Sequence, residues 1–498
     1  MLTRPAAADA EVAQAGGRST LRRDLVIVFA LAAALRLVAG LLLSGTYDYD
    51  EFILLTLSRQ YAHGFHPYRD MLYFHPPGAL LVGRALDPLT SLWWPAGRVF
   101  TATADSVTAV LTYVAARAYL VRRAALAAGF SYAASPLTLV AGVRVGPDPL
   151  IALLSLAGLC VLLPSKSRRG ALVAGALLGL AIGTKYTAVL LLPAYFLAAP
   201  RRLWAAMALG TAGAFTALLA PYLSVSHAVL QETIVYQSGR GFMTLDERLG
   251  TAALYWLAAT PLAVLGLRRR APWWVVAGFL SGGALLVAPQ VYYHYFVVIA
   301  PFAALLSAPL LASLRWPAYR TVLAGVAGAL VWLTVIATAD IRALFVTTGR
   351  FADVAPTVRI LRSQTAPGGL ILSDRYEYPF LAGRPPMSPY FWSVRTLVRG
   401  STLEQQLPCA AAVVRAGGAS SGYPQGLTRY LDQHYQAHHS AGTTVWVIRG
   451  REPTGATAGS GPVPSCERFV LVPRQPCLQK RCVPGRSMDE IRLARPRP

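Results

Sequence analysis

Charge is what this sequence has least of. Only 14% of its 498 residues are Asp, Glu, Lys or Arg, against 55% hydrophobic, and the mean hydropathy is +0.45. A single water-soluble core of this length does not carry so little charge, which excludes an ordinary soluble enzyme. Acid is scarcer still, with 23 Asp and Glu against 46 Lys and Arg and a net charge of +23. In a soluble chain that surplus would suggest nucleic acid. Here the arginines stand in short runs at the ends of apolar segments, where membrane orientation accounts for them and no nucleic-acid partner is expected. A glycine-rich phosphate loop, a paired CxxC and a zinc-type His and Glu helix motif are all missing, so the common soluble-enzyme devices are excluded. Cysteine is sparse: Cys160 lies in an apolar run, and Cys409, Cys466, Cys477 and Cys482 lie in the polar C-terminal part. In an oxidising compartment the last four could pair.

What is present is a succession of apolar stretches closed by basic clusters. The clusters are Arg122 with Arg123, Lys166 to Arg169, Arg201 with Arg202, Arg268 to Arg270, and Arg315 with Arg320, none with an acidic neighbour in the chain. By the positive-inside rule all are cytoplasmic, so each block between two clusters is a hairpin of two spans. The apolar segments are Leu25–Leu43, Arg98–Leu120, Ala124–Gly142, Pro149–Leu163, Gly170–Thr184, Thr187–Ala199, Leu203–Leu223, Gly250–Leu267, Pro272–Pro289, Phe296–Leu314 and Thr321–Thr338. That makes about eleven transmembrane helices. The same parity excludes Gly78–Trp94, whose Arg84, Asp87 and Pro88 suit an interfacial or re-entrant segment.

The expected architecture is therefore a polytopic α-helical membrane protein. Residues 1–24 form a disordered cytoplasmic N-terminus, 25–339 the transmembrane domain with a long first outer loop over 44–97, and 340–449 a small extracytoplasmic α/β domain. Strand-like runs at Gly369–Ser373, Ala410–Val414 and Thr443–Ile448 alternate there with helix-like Ala352–Gln364 and Leu427–His438. A Pro- and Arg-rich tail with cysteines occupies 450–498.

The polar residues of the outer loops carry the chemistry. Asp48, Asp50 and Glu51 follow the first span directly; carboxylates at a bilayer edge can act as a general base, hold a cation or solvate a loop. Next comes a rigid turn, Tyr73, Phe74, His75, Pro76, Pro77, and then Arg144 and Asp148 in the second outer loop. Lys185, one of three lysines in the chain, interrupts an apolar block with Tyr186 beside it. It can snorkel to the interface, but an ammonium at the outer leaflet also suits a lipid-linked phosphate. Arg240 adds a cation in a later outer loop. His294, within Tyr292, Tyr293 and Tyr295, stands where an aromatic belt is expected. Arg36 and Asp105 lie inside spans and read as a structural pair.

An acidic pair after the first span, a Tyr-Phe-x-x-Pro turn, a second-loop Asp-Pro and a Thr-Lys turn in a later hairpin together resemble the glycosyltransferase-C superfamily. Within it the chain is similar to the branch of protein O-mannosyltransferases and aminoarabinose transferases of lipid A, over about residues 25–340. The resemblance implies a catalytic carboxylate at Asp50 with Glu51 and Asp48 beside it. It implies acceptor or support roles for Asp148, His75 and Arg144, and donor-phosphate binding by Lys185, Arg240, Tyr186 and His294. The chain departs from the aminoarabinose transferases in having His75 and Pro76 where they have an acid and a lysine. It departs from eukaryotic protein O-mannosyltransferases in its short central outer loop.

The expected function is an inverting transfer of a sugar from a polyprenyl-phosphate donor to a glycan, lipid or protein hydroxyl on the extracytoplasmic membrane face. No cofactor is called for, and a divalent cation at Asp48, Asp50 and Asp148 stays open. A transporter or flippase of lipid-linked sugars is the rival; it would place charges near the midplane and show two related halves, whereas the charges gather at one face. A scaffold protein acting through its C-terminal part would be indifferent to Asp50.

Overall fold

A backbone in lipid must satisfy its own hydrogen bonds, and an α-helix does so within one segment. The computed structural model describes residues 7–165, 167–235, 244–252, 263, 271–287, 291–313, 327–328, 331, 348–373, 375–386, 410–415, 431–440 and 443–449. The chain divides into two compact units, Met1–Arg59 with Phe74–Phe351, and Gln60–Tyr73 with Ala352–Pro498.

In the first unit the opening helix runs Ala7–Leu42, so most of the segment expected to be disordered is helical. Its alanine content favours helix, and its buried Asp24 is held by Arg122 at 2.6 and 2.7 Å and by the Tyr113 hydroxyl at 2.9 Å. Arg122 thus finds across the fold the acid it lacks along the chain. Thr20–Leu42, Ala96–Arg117, Arg201–Val235 and Tyr293–Leu311 are long and apolar enough to cross a membrane. Asp148–Leu162, Tyr186–Ala198 and Trp273–Leu285 are shorter apolar helices.

Several expected spans differ in form. Ala124–Gly142 is two helices, Arg122–Ala133 and Pro136–Ala141, because Pro136 has no N–H with which to continue the first. Thr187–Ala199 begins as a 3-10 turn over Tyr186–Leu191 before the helix Leu192–Ala198. Gly250–Leu267 and Thr321–Thr338 fall almost wholly outside the described residues. Gly78–Trp94, excluded by parity, is a helix over Gly78–Leu92 that is not among those of spanning length.

Helix Ala96–Arg117 packs against the first helix, Arg122–Ala133 and Asp148–Leu162, while Arg168–Ile182 lies along Trp204–Leu219. The last pair approaches closely because a Cβ on Gly175 would strike the Met207 carbonyl and one on Gly179 the Thr211 carbonyl. Lipid offers no hydrophobic force between helices, so such close contact is what holds them. After the first helix, strand β1 (Thr46–Asp48) pairs antiparallel with β2 (Thr348–Arg350), Tyr47 opposite Gly349. No strand was expected at either place.

The second unit contains a sheet of β3 (Leu370–Ser373), β4 (Ala410–Arg415), β5 (Tyr435–Ser440) and β6 (Thr443–Ile448) in the order β3-β4-β6-β5. The β3–β4 pair is parallel and the others antiparallel, with the helix Phe351–Gln364 preceding β3. The helix expected over Leu427–His438 gives way to strand at Tyr435. Pairing from Tyr435 opposite Ile448 to Ser440 opposite Thr443 overrides the local pattern, as sheet context commonly does. Cys409, Cys466, Cys477, Cys482 and the tail lie outside the described residues.

Candidate active site

The string Asp48-Tyr49-Asp50-Glu51 builds its own turn. Asp48 ends β1, and the helix Tyr49–Ala62 starts after it. The Asp48 carboxylate accepts the Asp50 backbone N–H at 3.0 Å, and the Glu51 carboxylate accepts the Asp48 N–H at 2.8 Å. This is a variant of the capping box, with an aspartate in place of the usual serine or threonine and the N–H of the second helical residue, rather than the third, as its donor.

Glu51 is also the centre of a buried ionic cluster. Arg98 donates to both of its oxygens at 2.9 and 2.7 Å, Arg144 donates at 3.2 Å, and the Val145 N–H donates at 2.9 Å. Arg98 and Arg144 also share the Thr46 carbonyl at 2.9 and 2.6 Å, and Arg144 reaches the Thr46 hydroxyl. Burial opposes the Glu51 charge, but the two guanidinium groups more than offset it and hold its carboxyl below the usual range. Both Glu51 oxygens are occupied, so its work is to join the turn after the first helix to the loop before Asp148. Arg144, four residues before Asp148 in sequence, is committed to Glu51.

Asp48 lies on the other side of the turn, buried, and accepts the Tyr293 hydroxyl at 3.0 Å. Burial first, and then the charge of Asp50, push its carboxyl up to about 7. Asp50 sits in the first turn of the helix and is only partly buried. Of the three acids it is the one open to solvent.

Asp148 starts the helix Asp148–Leu162 and pairs with Lys185, whose ammonium donates to both carboxylate oxygens at 2.8 and 3.0 Å. Both side chains are about 95% buried. The same ammonium lies 4.1 Å from the Tyr295 ring centroid, and His294 Nε2 is 4.0 Å from Asp148. The histidine ring stacks on Tyr292, 5.7 Å between centroids and 7° from parallel. The aromatic turn therefore spans the site: Tyr293 touches Asp48, while His294 and Tyr295 face the Asp148–Lys185 pair. Beside it the Gly78 N–H donates to the Gly183 carbonyl at 2.8 Å, and a Cβ at Gly78 would fall 2.6 Å from the Thr184 hydroxyl. Glycine at 78 is what lets the His75-Pro76-Pro77 turn dock against the Lys185 turn. Tyr186 points elsewhere, its hydroxyl 3.1 Å from that of Thr233. Arg240 lies outside the described residues.

Residues 75–227 match the family described as dolichyl-phosphate-mannose-protein mannosyltransferase. The chain also superposes on ArnT from Cupriavidus metallidurans bound to undecaprenyl phosphate, with TM-score 0.62, 15% identity, and 85% of this chain and 98% of that one covered. A third likeness is to the oligosaccharyltransferase of Archaeoglobus fulgidus in the apo form, with TM-score 0.53, 12% identity, and 80% and 69% covered. The fold is of the glycosyltransferase-C type. A comparison with curated protein sequences gives no match.

In this fold the loop after the first helix, the loop before Asp148, the Lys185 turn and the aromatic turn meet in one place, although they are up to about 245 residues apart in sequence. Two members of the cluster had no sequence signal as site residues. Arg98 read as the start of a span, and Tyr293 as part of an aromatic belt. Among the described residues no group of three or more His, Cys, Asp or Glu is arranged to hold a metal ion.

Proposed function

We propose that this protein is an inverting glycosyltransferase that moves a sugar from a polyprenyl-phosphate carrier to an acceptor hydroxyl on the extracytoplasmic face of a membrane it crosses about eleven times. The observation that carries the reading is one aromatic turn that touches Asp48, two residues before the half-open carboxylate Asp50, through Tyr293 and the buried Asp148–Lys185 pair through His294 and Tyr295, in a glycosyltransferase-C fold. The two charges suit the two ends of a displacement at the anomeric carbon.

In this mechanism Asp50 takes the proton of the acceptor hydroxyl as its oxygen attacks the anomeric carbon. The carbon–oxygen bond to the carrier phosphate breaks on the opposite face, so configuration inverts. The leaving phosphate is already a weakly basic anion, so it needs neutralisation rather than a proton. Lys185 spends two of its three N–H groups on Asp148 and keeps one for a phosphate oxygen. Arg240 supplies a second cation to the same phosphate. Asp148 fixes the Lys185 head, His294 and Tyr295 wall it, and Glu51 with Arg98 and Arg144 hold the two loops together. His75 belongs to the acceptor side, on the turn locked by Gly78, and Tyr186, turned toward Thr233, supports the Lys185 turn without reaching the phosphate. The transmembrane part spans 25–339 and the α/β part 340–449, with the latter outside.

The test is direct. Purified protein is incubated with radiolabelled polyprenyl-phosphate sugars and a panel of glycan, lipid and protein acceptors. Transfer from the lipid donor, and none from a nucleotide sugar alone, is expected. Efficient transfer from a nucleotide sugar with no lipid present overturns the reading.

A further inference from the structure

The Arg36–Asp105 pair is a costly feature that the site described above does not use. Charges inside a membrane span are expensive and seldom retained without a task. Both side chains have 0% exposure, and the guanidinium is divided among several partners: Asp105 at 2.7 Å from Nε, the Ala133 carbonyl at 2.9 Å and the Thr138 hydroxyl at 3.2 Å. The other Asp105 oxygen accepts the Tyr132 hydroxyl at 2.5 Å.

These partners surround the break between the helices Arg122–Ala133 and Pro136–Ala141. A helix that stops leaves its last carbonyls without partners. Pro136 cannot donate to the Tyr132 carbonyl, which takes the Ser135 N–H at 3.2 Å instead, and the chain turns away before Leu137 can serve Ala133. In lipid such groups must be satisfied by a neighbour. The Thr138 hydroxyl donates to the Tyr132 carbonyl at 2.8 Å, and Arg36 donates to that of Ala133. A cation also suits the negative end of the helix dipole. Asp105 then neutralises the guanidinium and abuts the far end of the short second helix, where a Cβ at Gly142 would strike its carboxylate.

The placement links this cluster to the outer loops. Gly142 is followed at once by Val143 and Arg144. Asp105 sits two turns along the helix that carries Arg98, about 10 Å. Arg36 sits some two turns before the end of the helix that leads into β1. One buried cluster thus ties together the three elements that present Thr46, Arg98 and Arg144 to Glu51.

We propose that Arg36 and Asp105 are positioning residues, which clamp the break at Ala134–Ser135 and thereby set the loop that carries Arg144 and Asp148. That this loop serves sugar transfer rests on the function proposed above; that the pair sets its conformation does not.

The experiment therefore reads the loop by amide hydrogen exchange as well as the activity. Arg36→Met/Asp105→Asn removes both charges with little change of volume, the aspartate giving way to its isosteric amide. It is compared with wild type in the same detergent after a check for monodispersity. Exchange over residues 133–138 and 143–146 is expected to rise about tenfold or more, with the helix Arg168–Ile182 unchanged. Where the wild type transfers sugar, kcat is expected to fall about tenfold or more. Arg36→Lys keeps the charge but cannot reach Asp105, Ala133 and Thr138 in the same fork geometry; a smaller rise in the same two segments is expected, and this variant decides the matter if the double variant does not fold. Exchange at 143–146 equal to wild type in the folded variants overturns the proposal. If loosening is seen while the wild type shows no transfer, the proposed function fails and the positioning role stands.

Discussion

Two adjacent acids, Asp50 and Glu51, should give opposite phenotypes, and Glu51→Gln is the sharper case. The substitution keeps the shape of the side chain but removes its charge and turns one acceptor oxygen into an NH2 donor. Glu51 accepts five hydrogen bonds, from the Asp48 N–H, two Arg98 nitrogens, Arg144 and the Val145 N–H. An amide cannot accept on both sides, so some of these donors are left facing another donor. Arg98 and Arg144, at 12% and 6% side-chain exposure, would then be buried cations without their counter-charge. Removing one partner of a buried ion pair costs about 3–5 kcal/mol. For a chain of this size that corresponds to a fall of roughly 3–10 °C in the melting midpoint. The assay is thermal loss of the monodisperse peak in detergent, measured on Glu51→Gln, Arg98→Gln and the double variant. The double variant should lose less than the sum of the two singles, because the second change removes a charge the first has stranded. A Glu51→Gln protein that melts within a degree of wild type and yet is inactive would refute this, and would make Glu51 part of the chemistry.

Asp50→Asn should leave the melting midpoint nearly unchanged and lower transfer by about a hundredfold to ten-thousandfold, the usual contribution of a general base; activity close to wild type would move the base elsewhere. Asp48, raised to about 7, binds in the folded state a proton that the unfolded chain releases near pH 4. Its contribution to stability is therefore full below about pH 4 and lost as the pH rises through about 7. Asp48→Asn, which fixes the neutral form, should flatten the fall in melting midpoint between about pH 5 and 8, and an unchanged slope would count against the assignment. Lys185→Ala should raise the apparent KM for a polyprenyl-phosphate sugar about tenfold to a hundredfold, the worth of a charge-assisted hydrogen bond. It should also destabilise the protein by stranding Asp148; Lys185→Met/Asp148→Leu should restore stability but not KM, and recovery of both would deny the lysine a role in binding. Cysteine labelling from outside should reach an engineered site at Ser226 and miss one at Ser167; the reverse pattern would invert the topology.

The membrane class, the position of most described helices and three of the four described strands of the C-terminal sheet follow from local pattern, and so were legible in the chain. Long apolar runs have one way to satisfy a backbone in lipid, and arginine placement orients them. The acids after the first span were legible as a group for a similar reason, since carboxylates at a bilayer edge are few. Their division of labour was not. Which acid is saturated by arginines, which is buried against a tyrosine and which remains open depends on residues far away in sequence, Arg98, Arg144 and Tyr293. The same holds for Lys185, whose partner Asp148 comes from a different hairpin. The strand at Tyr435 escaped notice because its partner strand, rather than its own residues, sets its conformation. The break at Ala134–Ser135 was signalled by Pro136, but its meaning was not, because the group that caps it, Arg36, lies nearly a hundred residues earlier. Local pattern decides what a segment becomes. Which charges meet is decided by packing, because a buried ion is tolerated only where the fold supplies its partner.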